Sequence, residues 1–129
     1  VNRILLDTHV ALWSAYKSRR ISKELIKLFD KTTEVYVSSI SLAEIEMKRA
    51  TGKLKINSEP ADDLPEIGFQ IVAFEAAAAT SMSRFKQLDN HDPFDWLLLA
   101  QAASLEAKFV TADSKLLGLG LNWVIDAEA

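Results

Sequence analysis

Four carboxylates in this chain stand at strand ends or helix starts: Asp7 and Asp113 follow strand patterns, Glu44 lies in the first turn of a helix pattern, and Asp95 opens another. Gathered in one place, side chains of this type could do one kind of chemistry well. Oxygen ligands from carboxylates, in a chain with no Cys and two His, are what Mg²⁺ or Mn²⁺ prefers. A hard cation held this way suits phosphodiester hydrolysis: it acidifies an attacking water and stabilises charge on the phosphoryl and leaving oxygens.

Each acid also has a local explanation that is sufficient by itself. Asp7 could cap its helix, and Glu44 could be the reciprocal partner of Ser41 in a capping box. Asp92 could cap the helix that Asp95 enters, Asp95 could complement its dipole, and Asp113 could cap the turn after it. The joint pattern decides between the readings. Two carboxylates about 4 Å apart repel by about 4 kcal/mol at an effective dielectric near 20, whereas a helix N-terminus offsets only about 0.3–1 kcal/mol. A divalent cation resolves that conflict; without one, an acid in the group should have a raised pKa and hold a proton.

The element that must position Asp95 is the stretch Asn90 to Ala103, NHDPFDWLLLAQAA. Asp92, Pro93 and Asp95 supply a cap, a proline at the first helical position and an acid in the first turn. From Trp96 onward the residues are apolar nearly all the way round, the mark of a helix buried inside a domain, and the pattern continues to about Ala107. No Lys or Arg occurs between Lys86 and Lys108, so any charge balancing the two acids must come from elsewhere in the fold or from an ion.

Arg3 to Leu6 is an apolar run that ends at Asp7, followed by helical residues Thr8 to Tyr16 and a basic turn from Lys17 to Arg20. Ser22 caps a helix to about Lys31, with the stripe Leu25, Ile26, Leu28 and Phe29. Glu34 to Ser38 reads as the second strand, and Ser41-Leu42-Ala43-Glu44 has the spacing of a capping box that opens a helix to about Thr51, stopped by Gly52. Lys53 to Gly68 reads as a loop with a short helix around Ala61 to Ile67. Phe69 to Phe74 is the third strand, Glu75 to about Leu88 a helix, Phe109 to Thr111 the fourth strand, Ser114 to Leu117 a single turn and Trp123 to Ile125 the fifth strand. Short apolar strands alternating with helices imply an α/β fold with a parallel sheet covered on both faces. In such a sheet the strand C-termini share one edge, so Asp7, Glu44, Asp95 and Asp113 should converge there.

The length of 129 residues fits one domain, 1–129, with a core that needs no staples. The absence of cysteine excludes disulfides and thiolate metal sites and fits a reducing compartment. The apolar runs are too short to span a bilayer, and Val1-Asn2-Arg3 leads into a strand pattern instead of a signal peptide, so the expectation is a cytoplasmic protein with no membrane association. The net charge of −3 argues against a dedicated nucleic-acid binder with a basic surface, but not against an enzyme with an acidic pocket.

His9 and His91 are secondary candidates as bases or substrate contacts, though isolated histidines are more often turn or surface residues. Trp13, Trp96 and Trp123 could stack on bases, but core packing is the commoner role. Lys17, Arg19, Arg20, Lys48, Arg49, Lys53, Lys55, Arg84 and Lys86 are candidates for an RNA path or simply solvated charges. The Thr8 hydroxyl could hold Asp7 or a water.

The segments ILLDTHVALW, VSSISLAEIEMKRATGKL, HDPFDWLLLAQAA and VTADSKL, in that order and spacing, resemble the PIN-domain ribonucleases, and within them the VapC-type toxins of toxin–antitoxin pairs. The resemblance covers essentially the whole chain. It implies a doubly wound sheet of strand order 3-2-1-4-5, RNA cleavage dependent on Mg²⁺ or Mn²⁺, homodimerisation, and a cognate antitoxin that occupies the site. It carries catalytic and metal-binding roles onto Asp7, Glu44, Asp95 and Asp113. Three positions depart from the pattern. Trp96 stands where related sequences usually have arginine, Ala43 where an aromatic often precedes the glutamate, and Ser114 and Lys115 where some relatives have a further acid.

Two other classes compete. One is a module of the same fold that binds RNA or protein without catalysis, its acids serving as caps. The other is phosphoryl transfer through an aspartyl-phosphate at Asp7; the variants that use Asp-x-Asp need a second acid where this chain has His9.

Overall fold

Five strands, β1 (Arg3–Leu6), β2 (Glu34–Ser38), β3 (Gln70–Val72), β4 (Lys108–Thr111) and β5 (Val124–Asp126), pair in parallel in the order β3-β2-β1-β4-β5. That is the expected topology. It is seen in a computed structural model describing residues 2–16, 20–31 and 34–129, so Lys17 and Arg19 of the expected basic turn lie outside the described residues. Among the described residues no helix is long and apolar enough to cross a membrane.

The strand residues alternate between two apolar layers, as a period of two requires. Ile4, Leu6, Val35, Val37 and Val110 pack on one face against α1 (Thr8–Ala15), α2 (Lys23–Lys31) and α4 (Pro60–Glu66). Leu5, Tyr36 and Phe109 pack on the other against α6 (Pro93–Ser104) and α7 (Ser114–Leu117). With both faces covered, the central strands read as continuous apolar runs.

The chain turns away in opposite directions on the two sides of β1, through β2 on one side and β4 on the other. The crevice beyond their C-terminal ends is therefore the switch point where open α/β sheets place their sites. Asp7 follows β1 and Asp113 lies two residues beyond β4.

Strand β3 is shorter than the expected Phe69 to Phe74, and three helical elements differ further. Helix α3 (Ser39–Ala50) starts earlier than the capping-box spacing implies, because Ser38 at the end of β2 is the cap: its hydroxyl accepts from the Ile40 N–H at 3.0 Å. Ser41 is thus an interior helical residue, and Glu44 sits in the second turn, not the first. The expected helix from Glu75 to Leu88 is divided into α5 (Ala76–Ser81) and a 3₁₀ segment (Met82–Leu88), with non-helical φ/ψ at Phe85. Tertiary contacts account for the break: Phe85 is buried with its ring edge-on to Trp123 at 6.0 Å, and the Met82 carbonyl accepts from the Trp96 indole at 3.0 Å. Finally, α6 ends at Ser104, short of Ala107. Its exit is a Schellman motif, with Ala107 N–H donating to Ala102 at 2.9 Å and Glu106 N–H to Ala103 at 3.1 Å. Glu106 takes the left-handed position usually given to glycine, at φ 54°.

Candidate active site

Asp7, Glu44, Asp95 and Asp113 line a single cavity of about 310 Å³ at the switch point, together with Asp92, His9, Trp13 and Arg20. The fold therefore brings all four sequence candidates to one place, but it holds them in two different ways.

Asp7 and Glu44 form the floor. Asp7 is 5% exposed and caps α1: one carboxylate oxygen accepts from the Thr8 N–H at 2.6 Å, the other from the Thr111 hydroxyl at 2.6 Å. Burial nevertheless raises the Asp7 pKa, outweighing the Thr111 hydrogen bond, the nearby His9 and the Thr8 N–H, and the Glu44 charge adds to the rise. Glu44 is 3% exposed, with Oε1 accepting from the Thr8 hydroxyl at 2.6 Å and Oε2 from Lys48 Nζ at 2.8 Å. The Thr8 and Ser41 hydroxyls are 2.9 Å apart. A hydroxyl has one proton, so Thr8 donates to the carboxylate and accepts from Ser41. The Thr8 hydroxyl therefore serves Glu44, and the residue whose hydroxyl holds Asp7 is Thr111.

Asp95 and Asp113 form the rim, in the first turn of α6 and at the cap position of α7. His91, in the turn before α6, places Nε2 2.9 Å from Asp95 Oδ2 and 3.1 Å from Asp113 Oδ2. Burial, together with the charges of Asp7, Asp92 and Asp113, pushes the Asp95 pKa up to about 7, against the opposing hydrogen bond from His91. The raised pKa expected of a carboxylate group without cations is found at this residue. Asp92 caps α6 through the Phe94 N–H at 2.9 Å, as the sequence suggests, and its charge also reaches Asp95.

One ligand atom each from His91, Asp95 and Asp113 lie within 4.8 Å of one another. A hard divalent ion with bonds of about 2.0–2.6 Å could touch all three, and carboxylate oxygens are the donors it prefers. The donor set thus fits a cation; two carboxylates at that spacing otherwise repel by about 3–4 kcal/mol.

One contributor, Thr111, was absent from the sequence candidates, and another, His91, was only a secondary one. His91 reads as a turn residue, though its place four before Asp95 was a usable signal, since N-terminal turns of buried helices aim side chains into the switch-point crevice. Thr111 is fully buried; its hydroxyl donates to Asp7 and accepts from the Asp113 N–H at 3.0 Å, tying β1 to the turn after β4. A hydroxyl residue at the last position of a central strand, followed by an acid, is the pattern that marks it. Trp96 and Trp123 pack in the core, whereas Trp13 lines the cavity.

The structure is similar to a chain in the crystal structure of VapBC2 from Rickettsia felis bound to a promoter DNA fragment, with a TM-score of 0.68 and 20% identity, covering 96% of each chain. A chain in the DNA-bound VapBC of Salmonella typhimurium aligns with a TM-score of 0.66 at 18% identity, covering 98% of each. VapBC-5 from Mycobacterium tuberculosis aligns over all of both chains with a TM-score of 0.63 at 18% identity. No curated protein matches the chain. At such identities these structures speak for the fold alone. The sequence itself carries the assignment further: its match to the PIN domain runs over residues 4–120, a span containing every residue that lines the acidic cavity, and on that match the chain belongs to the PIN domain family.

Proposed function

We propose that this PIN domain is an endoribonuclease that hydrolyses RNA phosphodiester bonds with Mg²⁺ or Mn²⁺ held by Asp7, Glu44, Asp95 and Asp113. PIN domains are generally nucleases. The observation that carries the reading is the rim: Asp95 and Asp113 share a single imidazole in a cavity lined by five carboxylates, and burial with the charges of Asp7, Asp92 and Asp113 pushes Asp95 up to about 7.

In this reading the bound ion supplies an acidified water and neutralises charge on the phosphoryl group. The chain's own residues orient and discharge the site. Thr111 and the Thr8 N–H fix the Asp7 carboxylate, and Thr8 and Lys48 fix Glu44. A carboxylate has about four lone-pair sites, so these donors leave room for an ion on both acids. At the rim, Asp95 and Asp113 would hold the ion through their carboxylate oxygens, with His91 Nε2 within reach of both.

The structural neighbours are VapBC toxin–antitoxin proteins. By that likeness the chain is read as a VapC-type toxin: a cytoplasmic homodimer, single-domain over 1–129, restrained by a cognate antitoxin. Incubating the purified protein with single-stranded RNA should give internal cuts with Mg²⁺ or Mn²⁺ and none in EDTA, and Asp7→Asn should be inactive. An Asp7→Asn protein that cut at the wild-type rate would overturn the assignment. For the toxin role, induced expression should arrest growth, and co-expression of a small adjacent reading frame should restore it.

One observation favours a non-catalytic binding module: each of the four acids already has a protein hydrogen-bond partner. Calorimetry with Mn²⁺ separates the two readings, since a module of that kind would take up no ion at the cavity.

A further inference from the structure

We propose that the outward face of α1 is a platform on which bases of a single-stranded RNA stack beside the acidic cavity. It deepens the nuclease reading above and rests on it for the identity of the strand. His9, Leu12 and Trp13 lie three and four residues apart on α1 and so share one face. His9 is exposed and lines two cavities at once: the acidic one, and a neighbour of about 250 Å³ whose wall includes Leu12, Lys48 and Lys53. The platform is thus the saddle between them.

Charge argues for what crosses that saddle. A polyanion approaching five carboxylates is repelled except where the wall carries cations. Arg20 lines the acidic cavity on one side of the platform, its guanidinium 4.3 Å over the Trp13 ring and its Nε 3.5 Å from Glu128. Lys53 lines the second cavity on the other side, beside Lys48, whose charge is paired with Glu44 at 2.8 Å. Cations therefore flank the platform on the two sides by which a strand would enter and leave.

The rings argue for bases as well as phosphates. His9 and Trp13 stand 6.4 Å apart, tilted by 43°; Trp13 packs against the core and the Arg20 guanidinium lies over its ring, so an arriving base stacks on the guanidinium plane that Trp13 backs, with His9 beside it. Aromatic rings beside a cationic track are how proteins hold single strands without reading sequence. An acidic peptide would use the cations and gain little from the rings.

The test is fluorescence anisotropy of a labelled 12-nucleotide single-stranded RNA with the full chain in EDTA, so that binding is read apart from metal loading. Trp13→Ala should weaken binding at least about fivefold and Trp13→Phe far less, as expected for loss and retention of a stacking face. Arg20→Gln and Lys53→Gln should each flatten the dependence of log K on log salt by about 0.7, whereas Lys108→Gln, at the opposite end of the sheet, should leave it unchanged. Should Trp13→Ala fail to fold, an abasic strand of the same length takes its place and should bind correspondingly weakly. An abasic strand binding as well as RNA, or polyglutamate competing as well as RNA, overturns the platform; the second result would assign the wall to an acidic protein. If the wild type cuts RNA while all variants bind it equally, the platform is wrong and the nuclease reading stands. If nothing is cut with Mg²⁺ or Mn²⁺ yet binding depends on Trp13 as stated, the nuclease reading is wrong and the platform stands.

Discussion

The floor and the rim of the cavity contain the same kind of side chain in opposite circumstances. On the floor, both carboxylates are more than nine-tenths buried and each oxygen meets a donor supplied by α1, α3 or β4. At the rim, the side chains of Asp95 and Asp113 are 17% and 30% exposed and must share one imidazole nitrogen. The fold has given every floor oxygen a donor, although burial still raises the Asp7 pKa, whereas at the rim two acids share one imidazole. Removing Glu44 should therefore damage the protein, and removing the Asp95 charge should relax it.

Asp95→Asn gives the largest contrast. Cleavage should fall by about 10³-fold, equivalent to about 4 kcal/mol of barrier, which a single-turnover assay would measure. The metal-free protein should meanwhile become more stable. Asp95 titrates near 3.8 unfolded and about 7 folded, so between those values the folded state binds more protons and loses stability as pH rises, with no further loss above about 7. Denaturant titrations of the metal-free variant should lack Asp95's share of that slope. An asparagine variant less stable than wild type at pH 8 would contradict the account of the rim.

Glu44→Ala should do the reverse. It strands Lys48 Nζ and the Thr8 hydroxyl beside a buried void, at a cost of about 3 kcal/mol in urea unfolding, with or without metal. If its stability matched that of wild type, floor and rim would not differ as argued.

Thr111→Val is smaller and more specific. The shape is kept, but Asp7 loses a hydroxyl donor and the Asp113 N–H loses its acceptor, for an expected cost of about 2 kcal/mol. Because the Thr111 bond lowers the Asp7 pKa, its loss should raise that pKa further. Asp7 ionisation, followed by carboxyl NMR, would check the direction.

How much of this was legible in the chain follows the same division. The convergence of the four acids followed from short apolar runs alternating with helices, because parallel pairing fixes which ends meet; the strand order came only from the resemblance to PIN-domain ribonucleases. Asp92 as cap and Pro93 as first helical residue were legible because capping is local. What could not be read depended on residues distant in sequence. Ser41 looks like a cap three before Glu44 until Ser38 is seen to start the helix, and its hydroxyl is then buried against Thr8, 33 positions away. Thr111 meets Asp7 across 104 positions. The break at Phe85 comes from Trp123, and the end of α6 falls at a glutamate with positive φ, where no glycine announces it.

The smallest expected effect concerns Asp92, which belongs to both descriptions: it caps α6 and adds to the charge that raises Asp95. Asp92→Ala would lose both functions, costing about 1 kcal/mol of cap. Asp92→Ser separates them, since serine caps about as well and carries no charge. The serine variant should match wild-type stability at pH 5 within about 0.5 kcal/mol. The pH at which Mn²⁺ begins to raise the melting temperature should move downward, because Asp95, relieved of one neighbouring charge, ionises more readily. Melting curves with and without Mn²⁺ from pH 5 to 9 would show it. An unmoved onset would mean that Asp92 acts on α6 alone and that the charges raising Asp95 are those of Asp7 and Asp113.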